Sequence, residues 1–280
     1  MRNPAVAGMF YPGTEKGLRK ELKDCFRRGP GRDSPAKGPR IIGLVSPHAG
    51  YTYSGPTAAY GFLAMADGGL PETVVVIGPN HQGLGEEVGV SFDDFSMPMG
   101  VMRNDGELAE AIGIPPDELS HISEHSMEVQ LPFVQYFDQS VKQVCISMMD
   151  QSLPTARWLG EKISEAVRST GRKALIVASS DFTHCGRNYG YPVPKGMNAG
   201  EFARSRDMPV IKRLLDFDLE GAMEEKRKLG TTACGLGPVA AMYFAAGDLG
   251  SKRTKLMNYT TSFDVSPASS AVGYASIVLM

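Results

Sequence analysis

His48, His81 and His184 each follow a short apolar run. Ile41–Ser46 leads into Pro47-His48-Ala49-Gly50-Tyr51, Thr73–Gly78 into Pro79-Asn80-His81-Gln82-Gly83, and Lys173–Ser179 into Ser180-Asp181-Phe182-Thr183-His184-Cys185-Gly186. In an open α/β sheet, ligands bind in the crevice beyond the carboxyl ends of the strands. Three imidazoles delivered to one such edge would make a metal or acid–base site.

Other groups can complete that chemistry. Asp181, three residues before His184, can orient an imidazole and raise its basicity, or simply cap the next turn. Cys234 lies in Thr231-Thr232-Ala233-Cys234-Gly235-Leu236-Gly237-Pro238, where glycines open a helix. A helix N-terminus favours the thiolate, which is both nucleophile and metal ligand; a small buried residue at a tight turn is the plainer alternative. His125 precedes Glu128 by three residues, which fits a proton-relay pair or a capping box around Ser126. His121 has little around it and reads as surface. Two imidazoles and one thiolate suit zinc with water in the fourth place. Thiolate ligation also suits copper, and open positions suit iron. Ser180, His184 and Asp181 suggest a hydrolase, but the G-x-S-x-G elbow is missing.

These residues need a scaffold that ends strands on one edge. Strands are expected at 41–46, 73–78, 88–91, 141–148, 173–179, 255–261 and 271–279. Between them, helices are expected at 15–28, 56–66, 105–112, 126–137, 155–169, 202–217, 218–229 and 238–246. Arg2–Pro12 reads as an extended arm lying on the body. The alternation predicts one α/β domain over residues 1–280, a mixed, mainly parallel central sheet flanked by helices.

Bulk properties exclude several classes. The chain has 280 residues, 42% hydrophobic and 21% charged, with a net charge of -2. That balance carries no global basic footprint for nucleic acid. No apolar run is long enough to span a membrane, and no signal peptide is visible. The four cysteines are far apart, so disulfides are not expected and a cytoplasmic location is.

The motifs together resemble the Memo family: RNPAVAGMFYP at 2–12, SPHAGYTYSG at 46–55, GPNH at 78–81, HSMEVQLPF at 125–133, SSDFTHCG at 179–186 and ACGLG at 233–237. The resemblance implies a fold like that of class III extradiol dioxygenases, which are non-haem iron enzymes with two His and one Glu as ligands. It puts His48 and His81 on the metal, with Cys234 in place of the Glu. It puts His184 in the acid–base position, with Asp181 and His125 lining the same vestibule. Cys185 stands where the family usually has Tyr. Fe(2+) is the expected metal, with Cu or Zn as alternatives. Three roles follow: a metal-dependent oxidoreductase, a non-catalytic peptide- or protein-binding module, and a copper or zinc handling protein. The second would use Tyr51, Tyr53 and Phe182 for contact. A small molecule, a peptide or a radical-SAM protein is the expected partner.

Overall fold

A computed structural model describes residues 1–280. In chain order the strands are β1 (Gly43–Ser46), β2 (Thr73–Pro79), β3 (Val88–Val90), β4 (Phe95–Met97), β5 (Gly100–Met102), β6 (Lys142–Met148), β7 (Ala174–Ser179), β8 (His184–Cys185), β9 (Thr254–Thr261) and β10 (Ala271–Leu279). The helices are α1 (Glu15–Arg28), α2 (Tyr51–Asp67), α3 (Gly106–Ile112), α4 (Leu131–Phe137), α5 (Leu153–Thr170), α6 (Ala199–Leu215), α7 (Leu219–Leu229), α8 (Leu236–Asp248) and α9 (Ser262–Val265).

One sheet runs β3-β6-β2-β7-β1-β10-β8, with β9 on the side of β10. The central pairs β6–β2, β2–β7 and β7–β1 are parallel, and the flanking pairs are antiparallel. This is the mixed sheet flanked by helices that the alternation predicts. Every residue of β1, β2, β7 and β10 is buried, because helices cover both faces. The period-2 pleat divides the strands between two cores. Val75, Ile77, Ile176 and Ala178 pack with α5 and α8 on one face, while Val74, Val76, Leu175 and Val177 pack with α1, α2 and α4 on the other. Fully burying each of the Val, Ile and Leu side chains is worth about 1.5–3 kcal/mol.

Parallel register aligns the carboxyl ends. Ser46 of β1 lies opposite Ser179 of β7, and β7 separates β1 from β2. The loops bearing His48, His81 and Asp181 therefore leave the same edge.

Three local outcomes differ from expectation. Helix α2 begins at Tyr51 rather than Pro56. Pro56 has no N–H for the Thr52 carbonyl four residues back, and that oxygen accepts from Arg28 Nη1 at 3.3 Å instead. The helix expected at 126–137 is a 3-10 turn at Glu128–Gln130 followed by α4, with Pro132 tolerated in its first turn. The hairpin β4–β5 was not expected; its strands are only three residues each, joined by the turn Pro98-Met99.

The arm lies on the body, but it is not extended throughout as expected: residues 8–10 form a turn in which the Met9 and Phe10 N–H groups donate to the Val6 carbonyl. Its anchor is ionic. The Arg2 guanidinium and Glu128 carboxylate, both buried, meet at 2.7 Å. Glu128 also accepts from the backbone N–H of Ala5 and Val6 and from Tyr11 Oη. Arg2 donates further to the carbonyls of His121 and Glu124, both at 2.6 Å. No helix is long and apolar enough to cross a membrane.

Candidate metal centre

His48, His81 and His125 converge at the carboxyl edge. Their ligand-type nitrogens all lie within 4.8 Å of one another. The ring centroids are 5.2 Å apart for His48–His81, 5.5 Å for His48–His125 and 4.8 Å for His81–His125. His48 sits at the end of β1 and His81 just past β2. His125 comes from the turn before the 3-10 segment, whose backbone Arg2 grips.

Each imidazole is oriented through its Nδ1 side. Glu124, fully buried, accepts from His81 Nδ1 at 2.9 Å and from the His81 N–H at 2.6 Å. Its Oε1 is 3.5 Å from His125 Nδ1. Burial opposes the charge of Glu124, but the bonds from His81 and Ser126 outweigh it and bring its pKa down to about 2. His48 Nδ1 lies 2.9 Å from Ser179 Oγ. His184 donates from Nδ1 to the Phe182 carbonyl at 2.9 Å. Burial first, and neighbouring imidazoles second, push the His48 pKa well below its ordinary value; burial also lowers those of His125 and His184. Neutral imidazoles are the form a metal ion requires.

Cys234 is part-buried. It lies outside the three-histidine set, yet its Sγ is 3.1 Å from His48 Nε2. Two ligands of one ion can have that separation. The expectation that the helix start lowers its pKa is corrected: burial, and then the Asp181 carboxylate, push the thiol up. Asp181 accepts from the His48 N–H at 2.8 Å, and burial raises its pKa to about 7 against that bond.

A cavity of about 540 Å³ opens onto the cluster. His48, His81, His125, Asp181 and His184 line it together with Tyr53, Tyr189 and Tyr274, and no lysine or arginine does. Of the expected catalytic and metal-ligating residues, only Cys234 lies outside this lining. Sequence reasoning missed Glu124, whose neighbour His125 drew attention to Glu128 instead. Glu128 is neither the proton-relay partner nor the capping-box residue considered for it; it anchors the arm. His121, expected at the surface, is buried and bonds through Nδ1 to the Asp117 carbonyl. Tyr51 and Phe182, expected to offer contact area, are buried too, and of that trio only Tyr53 is exposed.

Fold and site define an α/β protein with a histidine cluster able to hold a metal ion at the carboxyl edge of its sheet. The family model described as Memo-like protein matches residues 2–278. MEMO1 family proteins align along nearly the whole chain. That of Methanopyrus kandleri is 40% identical over 99% of this chain and 98% of its own. That of Methanosarcina barkeri is 41% identical over 100% of both, and that of Thermococcus kodakarensis 42% over 99% of both. The chain belongs to the Memo family. An uncharacterized protein of Escherichia coli K12 shares the fold, with a TM-score of 0.53 and 14% identity over 86% of this chain and 100% of that one.

Proposed function

We propose that this chain is a metal-binding Memo protein acting as a metal-dependent oxidoreductase, with Fe(2+) as the metal. The observation that carries the reading is the convergence of three imidazoles on an open cavity. His48, His81 and His125 hold the ion, and Cys234 joins them as thiolate from the His48 side. The donor set fits: nitrogen and sulfur ligands, with second partners already bonded to His48 and His81. Bound iron supplies Lewis acidity and one-electron chemistry.

The chain's own groups do the rest. His184 has its Nδ1 committed to the Phe182 carbonyl, so Nε2 is free to take a proton from a substrate hydroxyl in the cavity. Asp181, with a pKa near 7, lines the same cavity and braces the His48 backbone. Apart from the ion itself, the cavity offers no lysine or arginine to pair with a carboxylate or phosphate, so substrate selection there falls to the imidazoles and the tyrosine hydroxyls.

The test is metal content and affinity of protein purified without oxygen, for wild type, His48→Ala and His81→Ala. Stoichiometric iron in wild type and its loss in both variants is expected. Equal binding in all three would reject the reading.

A further inference from the structure

Behind His48 three side chains meet, and their hydrogens can be assigned one at a time. Gln130 is buried in the 3-10 turn. Its Nε2 lies 3.0 Å from the Pro47 carbonyl oxygen and 2.8 Å from Ser179 Oγ. A carbonyl only accepts, so the amide turns its NH2 toward Pro47, and its second hydrogen goes to Ser179. Ser179 Oγ also lies 2.5 Å from the Ser126 carbonyl oxygen and 2.9 Å from His48 Nδ1.

The hydroxyl has a single hydrogen. Turned toward His48, it would leave two lone-pair-bearing oxygens facing each other at 2.5 Å. Turned toward Ser126, it makes a short hydrogen bond. His48 Nδ1 must then carry the hydrogen and donate to Ser179. That leaves the lone pair on Nε2, the nitrogen beside Cys234.

The other oriented imidazoles need no such arrangement. His81 faces a carboxylate and His184 a carbonyl, both pure acceptors, so each tautomer follows directly. A hydroxyl is ambiguous, because it can donate or accept. Its proton must be committed elsewhere before it can select a tautomer. We propose that Ser179 is a positioning residue, set by Gln130 and the carbonyls of Pro47 and Ser126, that locks His48 in the Nδ1–H tautomer and presents Nε2 as the donor atom.

Gln130 makes its two contacts with the amide hydrogens alone. Its Oε1 is buried without a partner. An unsatisfied buried carbonyl costs stability, and a methionine of similar size would avoid the penalty. Both hydrogens of the amide serve the lock.

The purpose of the lock rests on the metal-binding reading, but its geometry does not. Long-range ¹H–¹⁵N NMR of the metal-free protein reads the tautomer directly, and competition titration with Zn(II) reads affinity. Wild type is expected to show His48 protonated at Nδ1. Ser179→Ala is expected to show mixed tautomers and about 10- to 100-fold weaker Zn(II) binding, with an unchanged circular dichroism spectrum. Gln130→Met is expected to show a smaller affinity loss without a lower melting temperature. A wild-type His48 protonated at Nε2, or an unmixed tautomer in Ser179→Ala, would overturn the proposal. Should wild type bind no Zn(II), the metal reading fails, while the NMR result still decides the lock.

Discussion

Glu128→Gln is the substitution with the largest calculable effect away from the cluster. The carboxylate receives four donors: Arg2 Nη1, the N–H groups of Ala5 and Val6, and Tyr11 Oη, at 2.5–3.1 Å. Glutamine keeps the shape but replaces one acceptor oxygen with NH2, which then faces donors. It also leaves the Arg2 charge buried without its counter-ion. Breaking a buried pair from one side costs about 3–5 kcal/mol. For chains of this size that corresponds to a fall of roughly 6–20 °C in melting temperature, at 2–4 °C per kcal/mol. The damage begins locally. Amide hydrogen exchange is expected to quicken over residues 2–12 and 121–130 before the sheet is affected. Because Arg2 holds the carbonyls of His121 and Glu124, metal affinity falls as well. The double variant Arg2→Met with Glu128→Gln removes both charges and recovers part of the loss. Unchanged denaturation and exchange in Glu128→Gln would refute the view that this ion pair fastens the arm.

Three further outcomes follow from the geometry. Glu124→Gln removes the carboxylate that orients His81, and Zn(II) affinity should drop about 10- to 100-fold in a competition titration. Gly78→Ala would place a Cβ 2.4 Å from Ser126 Oγ and 2.9 Å from Met127 Cγ; thermal melts should show a loss of about 1–3 kcal/mol, and metal binding should weaken as the His81 and His125 loops separate. Asp207, buried with bonds from the Thr183 N–H and Tyr259 Oη, has its pKa raised by burial from 3.8 to about 6. Its raised pKa stabilises the fold fully below pH 4, and that contribution is lost as pH rises through 6. The gap is worth about 3 kcal/mol at 1.36 kcal/mol per pH unit, and Asp207→Asn should flatten that slope in denaturant titrations between pH 4 and 6.

The strand-end histidines were legible because sequence reports both the apolar run and the loop that follows it. Their orienting partners were not. Ser179 bonds Gln130 across 49 positions, and His81 bonds Glu124 across 43. Such pairings depend on how β2, β7 and the 121–130 turn pack, and no local periodicity encodes that. His121 read as a surface residue because no motif surrounds it; it is buried, with its ring bonded to the Asp117 carbonyl and its own carbonyl held by Arg2 from the far end of the chain. The glycine-flanked turn singled out Cys234, and the resemblance put it on the metal and placed His125 in the vestibule, but the convergence of His125 with the other two imidazoles came only from the fold.

The role of Cys234 is the sharpest remaining prediction. His48 and His81 end strands of the rigid sheet, whereas His125 rides on a turn held by Glu124 and Arg2. Cys234 comes from the turn just before α8, and of the three imidazoles its Sγ contacts only that of His48; it also reaches the Asp181 carbonyl at 3.6 Å. Burial holds the thiol protonated, so binding it as thiolate must release a proton, and an ion must compensate for the buried charge. Substitution of Cu(II) or Co(II) makes this visible. Wild type should show an intense sulfur-to-metal charge-transfer band that is stronger at high pH and absent in Cys234→Ser. His125→Ala should bind more weakly yet keep the band, because its nitrogen and the sulfur are independent donors. A metal-loaded wild type without the band would remove Cys234 from the coordination sphere and leave a three-imidazole centre.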